Sequence, residues 1–186
     1  MSSGDNLGGQ LLIAMPALQD PNFHQTVTYL CEHSEHGAFG VVINRPLDMR
    51  LSELLAQVQL ETSAEVTDVA LGDGGPVQSE GCLILHRPVG EWAHTLQTSG
   101  DMAVTGSLDV LEAIAAGQGP ADYLIVLGHA GWGPGQLESE MLDNAWLTVQ
   151  ADPRVVFEVP VEERWRAALD LVGVDPATLS AQAGHA

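Results

Sequence analysis

The chain contains no lysine. Its only strong cations are six arginines, set against 25 aspartates and glutamates, for a formal net charge of −19 over 186 residues. Without a lysine amine there is no Schiff base to pyridoxal phosphate, and the lysine of a Walker-type phosphate loop is missing as well. The charge also opposes direct nucleic-acid binding, because affinity for a phosphate backbone comes mainly from lysine and arginine contacts. No basic stripe interleaved with aromatics offsets it. A solvated acidic surface that maintains solubility, or adaptation to a saline cytoplasm, accounts for the balance without a partner.

Cysteine is scarce too. Cys31 and Cys82 lie far apart and form no Cys-x-x-Cys pair. The opening Met-Ser-Ser-Gly-Asp-Asn places no basic region ahead of an apolar segment, so no secretory signal is expected. Both cysteines therefore read as reduced thiols in a cytoplasmic protein. No run approaches the ~20 apolar residues that a membrane helix needs, and no membrane contact is expected.

What is present is a 45% apolar chain long enough for one domain with a real core. Residues 1–9, rich in Ser, Gly, Asp and Asn, read as a loose terminus, and 10–186 as the domain. Leu11 to Met15, Thr26 to Cys31 and Phe39 to Asn44 read as strands, separated by the residues that punctuate strands. A short helix is expected from Leu51, with Ser52 as cap. A strand runs through Cys82 to His86, with weaker ones at Thr95 to Gln97 and Ala103-Val104. Ser107 caps a helix from Leu108 to Ala116. Tyr123 to Leu127 reads as a buried strand. Gly128 to Gly135 is a glycine-rich connection into a helix from Gln136. Val155 to Val159 reads as a late strand, and Val161 to Val172 as the last helix, ended by Gly173. Short loops between the early strands point to antiparallel pairing.

One partial echo stands out. Gly40 to Pro46 and Cys82 to Pro88 each read as a strand that ends in a polar residue followed by Arg-Pro. Proline restricts the residue before it and stops a ladder, so Arg45 and Arg87 are expected at two strand exits.

Several blocks carry a resemblance. They are Ala14-Met15-Pro16 through Asp20-Pro21-Asn22-Phe23, Cys31-Glu32-His33, Gly40 through Asn44-Arg45-Pro46-Leu47, and Gly74-Gly75-Pro76-Val77. Further on come Leu85-His86, Gly135-Gln136-Leu137-Glu138, Asp143 through Trp146-Leu147, Arg164-Trp165-Arg166 and Ala183-Gly184-His185-Ala186. In order and spacing they resemble the YqgE/AlgH family of bacterial proteins over nearly the whole chain. The resemblance implies an α+β fold: a single domain whose bent or bifurcated, mainly antiparallel sheet forms a pseudo-barrel flanked by helices (AlgH-like). It also brings a transcriptional-regulator label without a biochemical activity. The chain departs from the family pattern at Gly81-Cys82-Leu83, where relatives have Arg-Gly-Phe, and at Leu108, where relatives have Arg between Ser and Asp. If the family holds an anion through those arginines, this member holds it more weakly. Arg45 remains, and Arg87 partly substitutes.

Candidate chemistry begins at Cys31-Glu32-His33. In a regular strand Cys31 and His33 share a face, and a thiol beside an imidazole can become an activated thiolate. Against this, cysteine is among the most buried residue types, and packing is the preferred reading. A metal site is not expected, since the histidines and cysteines lack paired ligand spacings. The Gly128–Gly135 segment, including Gly131, Trp132 and Gly133, could hold an anion on its amides or could simply be a tight turn. Gly74 and Gly75 permit close approach of a ligand or of a neighbouring backbone.

The expectation is therefore a non-enzymatic protein that binds an unknown ligand or partner and regulates indirectly. It needs no cofactor. Its candidate binding residues are Asn44, Arg45, Gly74, Gly75, Arg87, Gly131, Trp132 and Gly133. The alternative is a thiol-dependent hydrolase or transferase built on Cys31 with His33 or His86.

Overall fold

The computed structural model describes residues 6–16, 24–175 and 177. The elements run β1 (Gln10–Ala14), β2 (Val27–Ser34), β3 (Gly37–Val42), β4 (Pro46–Arg50), α1 (Leu51–Gln57), β5 (Ala70–Asp73) and β6 (Val77–Arg87). They continue β7 (Thr95–Ser99), β8 (Met102–Thr105), α2 (Leu108–Ala115), β9 (Asp122–Trp132), α3 (Gln136–Leu142) and β10 (Trp146–Gln150). Then come α4 (Pro153–Phe157), a 3-10 turn (Val161–Glu163) and α5 (Arg164–Val172).

The strands form one curled sheet in the order β10-β1-β2-β3-β9-β6-β8-β7, antiparallel at every step. β5 adds to β9 in parallel and carries β4 at its side. Alternation along the strands explains the curl, because neighbouring side chains leave opposite faces. Leu11, Ile13, Val27, Tyr29 and Cys31 meet Leu85, Met102, Val104 and Val126 in the interior, where Val155, Val156, Ala168 and Leu169 of α4 and α5 join them. The outer face of β6 and β9, with Ile84 and Ile125, packs on α1 and α2. The outer face of β1 and β2, with Leu12 and Leu30, packs on Leu137 of α3.

β9 passes from one half of the sheet to the other at Gly128. Val126 faces the interior, yet Ala130, four residues on, faces the α3 side. Gly128 adopts φ +78°, and a β-carbon there would sit 2.3 Å from the Gly75 carbonyl oxygen. The ladder between β6 and β9 is irregular here: Val77 pairs with His129 and Cys82 with Leu127, so the extra residues lie on β6 opposite Gly128.

Four local readings change. Ser52 does not cap α1; Asp68 does so from across the loop, accepting the Ser52 N–H at 2.9 Å. Val155 to Val159 is not a strand. Asp152 accepts the Arg154 N–H and Pro153 occupies the first turn, so the apolar run is wound into α4. Gly128 to Trp132 is strand, not connection, because β9 continues to pair with β3. Arg45 lies in the short link after β3, but Pro46 stops no strand and instead opens β4. Arg87 does close β6.

Of the expected loose terminus, residues 1–5 fall outside the described residues. Leu7 is buried, and Gly9 donates its N–H to the Leu30 carbonyl at 2.7 Å. Ala17 to Phe23 and Ala183 to Ala186 of the sequence blocks also lie outside the described residues.

Candidate functional site

Where β3 ends, Ile43, Asn44 and Arg45 run out beside the start of β2. The Asn44 side-chain amide takes the place of a strand partner. Its oxygen accepts the Val27 N–H at 2.8 Å, and its nitrogen donates to the Gln25 carbonyl at 2.9 Å. Arg45 is thereby held facing outward, with Nη2 donating to the His24 carbonyl at 3.4 Å.

From the other side comes the start of α5. Arg164 is only 6% exposed, and its guanidinium donates to the Ile43 carbonyl and, at 2.9 Å through Nε, to the Val159 carbonyl. Burial lowers its pKa, and Glu162 opposes that shift. The next residue, Trp165, donates its indole N–H to the Ala14 carbonyl at 3.1 Å. Arg166 then stands exposed, with no hydrogen bond or ion pair among the described residues. Between these elements lies a cleft of about 430 Å³ whose lining includes Asn44, Arg45, Glu162, Glu163, Trp165 and Arg166.

The distribution of cations gives this cleft its weight. Arg50, Arg87 and Arg154 pair with Asp68, Asp122 and Asp152 at 3.3, 2.7 and 3.0 Å. Of the other three arginines, Arg45 and Arg166 line this cleft, and Arg164 is buried on the Ile43 and Val159 carbonyls. An arginine fork suits a carboxylate or a phosphate.

The remaining sequence candidates are dispersed. A bulge between Leu30 and Glu32 separates Cys31 from His33. Cys31 points into the interior core, its Sγ 3.8 Å from the Tyr29 carbonyl oxygen, and burial pushes its thiol far up. His33 instead turns toward α3. Its Nδ1 accepts the Leu7 N–H at 3.1 Å, which leaves the proton on Nε2 to be donated to Glu138. His86 is fully buried; Nδ1 donates to the Pro88 carbonyl at 3.0 Å, and Nε2 accepts from Thr105 at 2.7 Å. Burial lowers its pKa, and both ring nitrogens are occupied.

Gly74 and Gly75 lie against backbone, not against open space. The Gly74 N–H donates to the Leu127 carbonyl at 2.8 Å, and its own carbonyl accepts the Val42 N–H at 2.9 Å. Arg87 is committed to Asp122 and to the Phe157 ring, 5.7 Å away. Trp132 and Trp146 donate their indole N–H groups to Glu140 at 3.1 and 2.9 Å, and the Gly133 N–H donates to Gln136. Among the described residues no group of three His, Cys, Asp or Glu could hold a metal ion.

A second cleft, about 420 Å³, was not anticipated. Phe39, Gln78, Cys82, Leu83 and His129 line it, beside the irregular stretch of β6 between Val77 and Cys82. Burial raises the Cys82 thiol to about 11 and lowers the His129 pKa, so both side chains are neutral near pH 7.

Two measurements follow from these environments. Cys82 alkylation by iodoacetamide should climb steeply only as pH nears about 11, and Cys31 in the folded chain should stay unmodified. Mass spectrometry with Cys31→Ser and Cys82→Ser controls reads both, and rapid labelling of Cys31 at neutral pH would contradict its burial. The His33 hydrogen bond depresses the Glu138 pKa. Its contribution is therefore present above the ordinary glutamate range and lost as pH falls through the depressed value. Glu138 is half exposed, which limits the effect of Glu138→Gln to less than about 1 kcal/mol near neutrality. Urea midpoints of the two proteins should converge in acid; a gap that persists there refutes the link.

Comparison with known proteins decides the family. The AlgH-like family model matches residues 11–177. The chain belongs to the AlgH-like family. A UPF0301 protein of Thioalkalivibrio sulfidiphilus is 47% identical over 186 residues, spanning the whole of both chains. One from Burkholderia multivorans is 52% identical over 184 residues, covering 97% of this chain and 96% of its own. The solution structure of the AlgH protein from Pseudomonas aeruginosa superposes with a TM-score of 0.81 at 49% identity, covering 100% of this chain and 99% of that one. A Corynebacterium diphtheriae protein, 21% identical, shares the fold with a TM-score of 0.72 over 91% of this chain and 88% of its own. The curled, mainly antiparallel sheet flanked by helices is thus the AlgH-like fold. None of the described helices is long and apolar enough to cross a membrane.

Proposed function

We propose that this chain is a non-enzymatic binding protein of the cytoplasm. Its Arg45–Arg166 cleft takes the anionic group of a small ligand or partner, and any regulatory role runs through that partner and not through DNA. The observation that carries the reading is that Arg45 and Arg166 line one cleft in a chain of net charge −19 that has only six arginines. On a surface this acidic an anion meets repulsion, and two arginines on one cleft, set beside Glu162 and Glu163, are the local exception. The thiol-dependent alternative is weakened by the Cys31 environment, because a nucleophilic cysteine needs a stabilised thiolate and some exposure. His33 and His86 both have their ring nitrogens engaged.

Calorimetric titration with acetate, succinate and inorganic phosphate tests this. At least one should bind the wild-type chain, and Arg45→Ala with Arg166→Ala should weaken it roughly tenfold per arginine removed. Unchanged affinity in the double variant overturns the assignment. A low-salt gel shift with random duplex should show no complex, and a tight one would refute indirect action.

A further inference from the structure

Among the described residues no Asp, Glu or Arg lines the second cleft of about 420 Å³, whereas both signs of charge line the Arg45–Arg166 cleft. Its two titratable lining residues, Cys82 and His129, are held neutral near pH 7 by burial. Between the Val77–His129 and Cys82–Leu127 pairs, residues 78–81 of β6 stand opposite Gly128 alone, and the cleft lies against this break in the ladder. Phe39 and Leu83, which pack on the interior core yet stay partly exposed, form its apolar wall. The rings of Phe39 and His129 meet edge to face, with 5.9 Å between centroids and 78° between planes. The Gln78 amide and the His129 ring nitrogens make no hydrogen bond among the described residues, so both are open to a ligand.

We infer that this cleft binds a small neutral aromatic molecule, one or two rings bearing a single hydroxyl or ring N–H. A charged ligand would give up its water here with no opposite charge to meet it. The net −19 of the chain draws cations to its surface in general, so a cleft that disfavours a cation stands apart from that attraction. An aromatic ring gains over a saturated one, because it can stack on one of two perpendicular rings while meeting the edge of the other. Neutral imidazole offers one donor and one acceptor, and the Gln78 amide offers both, which suits a hydroxyl or a ring N–H. The volume lies in the range of small-molecule sites. The site is separate from the Arg45–Arg166 cleft, and neither reading depends on the other.

The test titrates the full chain, labelled with nitrogen-15, with benzyl alcohol. Benzoate, benzylammonium and cyclohexylmethanol serve as its anionic, cationic and saturated counterparts. Benzyl alcohol should shift the Phe39, Gln78, Leu83, Gly106 and His129 amides along one saturating curve. At these amides each charged counterpart should bind about tenfold more weakly, and cyclohexylmethanol about fivefold more weakly. Phe39→Leu keeps the wall apolar and should erase the preference for the aromatic alcohol. A β-carbon at Gly106 would face Leu83 at 3.3 Å from its Cδ2, the movable end of a side chain. Gly106→Leu should therefore fill the cleft and weaken benzyl alcohol about tenfold, with its thermal midpoint reporting that the variant is folded. Benzylammonium or cyclohexylmethanol binding as tightly as benzyl alcohol overturns the inference. So does an aromatic preference that survives Phe39→Leu, affinity that survives Gly106→Leu, or no saturable shift with benzyl alcohol.

Discussion

Replacing Arg164 with alanine should destabilise the folded chain by about 3 kcal/mol, the loss expected for two hydrogen bonds from a charged donor. The guanidinium reaches the Ile43 and Val159 carbonyls, one at the end of β3 and one just before the turn that leads to α5. Alanine strands both acceptors in a site where the side chain is only 6% exposed. For a chain of this length the loss corresponds to a fall in Tm of roughly 6–12 °C. Arg164→Lys keeps the charge but cannot fork to two carbonyls, so it should recover only part of the stability. The same staple aligns Asn44 and Arg45 with Arg166, and both variants should therefore bind cleft ligands more weakly. A thermal midpoint for Arg164→Ala within about 2 °C of wild type would show that the staple is not structural.

Gly75→Ala should do more damage. A β-carbon at Gly75 would sit 2.3 Å from both the carbonyl carbon and the oxygen of His129, and 2.5 Å from the Ala130 nitrogen. These are backbone atoms of β9, which cannot move aside as a flexible side chain can. Gly75 also lies at φ +144°, a region that L residues rarely adopt. Together the overlap and the strain should cost about 3 kcal/mol or more, because β9 is the strand shared by both halves of the sheet. Poor recovery of folded protein, or a lowered urea midpoint, is the expected outcome. A variant as stable as wild type would mean that the Gly74-Gly75 crossing has slack that the packing does not show.

The parts of the fold that were legible in the sequence are those where one local signal sufficed. β1, β2 and β3 are short apolar runs between clear breakers, and Gly173 ends α5 in the left-handed conformation that its position suggested. Val155 to Val159 misled because a β-branched apolar run fits a strand or a buried helix equally well, and the Asp152-Pro153 start outweighs it. Gly128 misled in the other direction. The glycines there suggested a loop, whereas Gly128 and Gly131 lie within a continuous strand.

The Cys31 and His33 pairing failed for a related reason. A two-residue period assumes a regular strand, and the irregularity between Leu30 and Glu32 cannot be seen without its partner strand. The cleft was half visible. Asn44 and Arg45 could be placed at a strand exit from their own neighbourhood. Arg164, Trp165 and Arg166 stood only as a resembling block, because nothing local says that the start of α5 returns to the end of β3. Tertiary packing against the interior core makes that match.

The most direct test of the cleft is to locate where a carboxylate lands. Titrating acetate into the nitrogen-15 labelled chain should shift the amides of Gln25, Asn44, Arg45, Trp165 and Arg166 along one saturating curve, with Arg166→Ala moving its midpoint about tenfold higher. Shifts centred instead on residues 128–135, on the Cys82 and His129 cleft, or spread without saturation would contradict the Arg45–Arg166 cleft as the binding site.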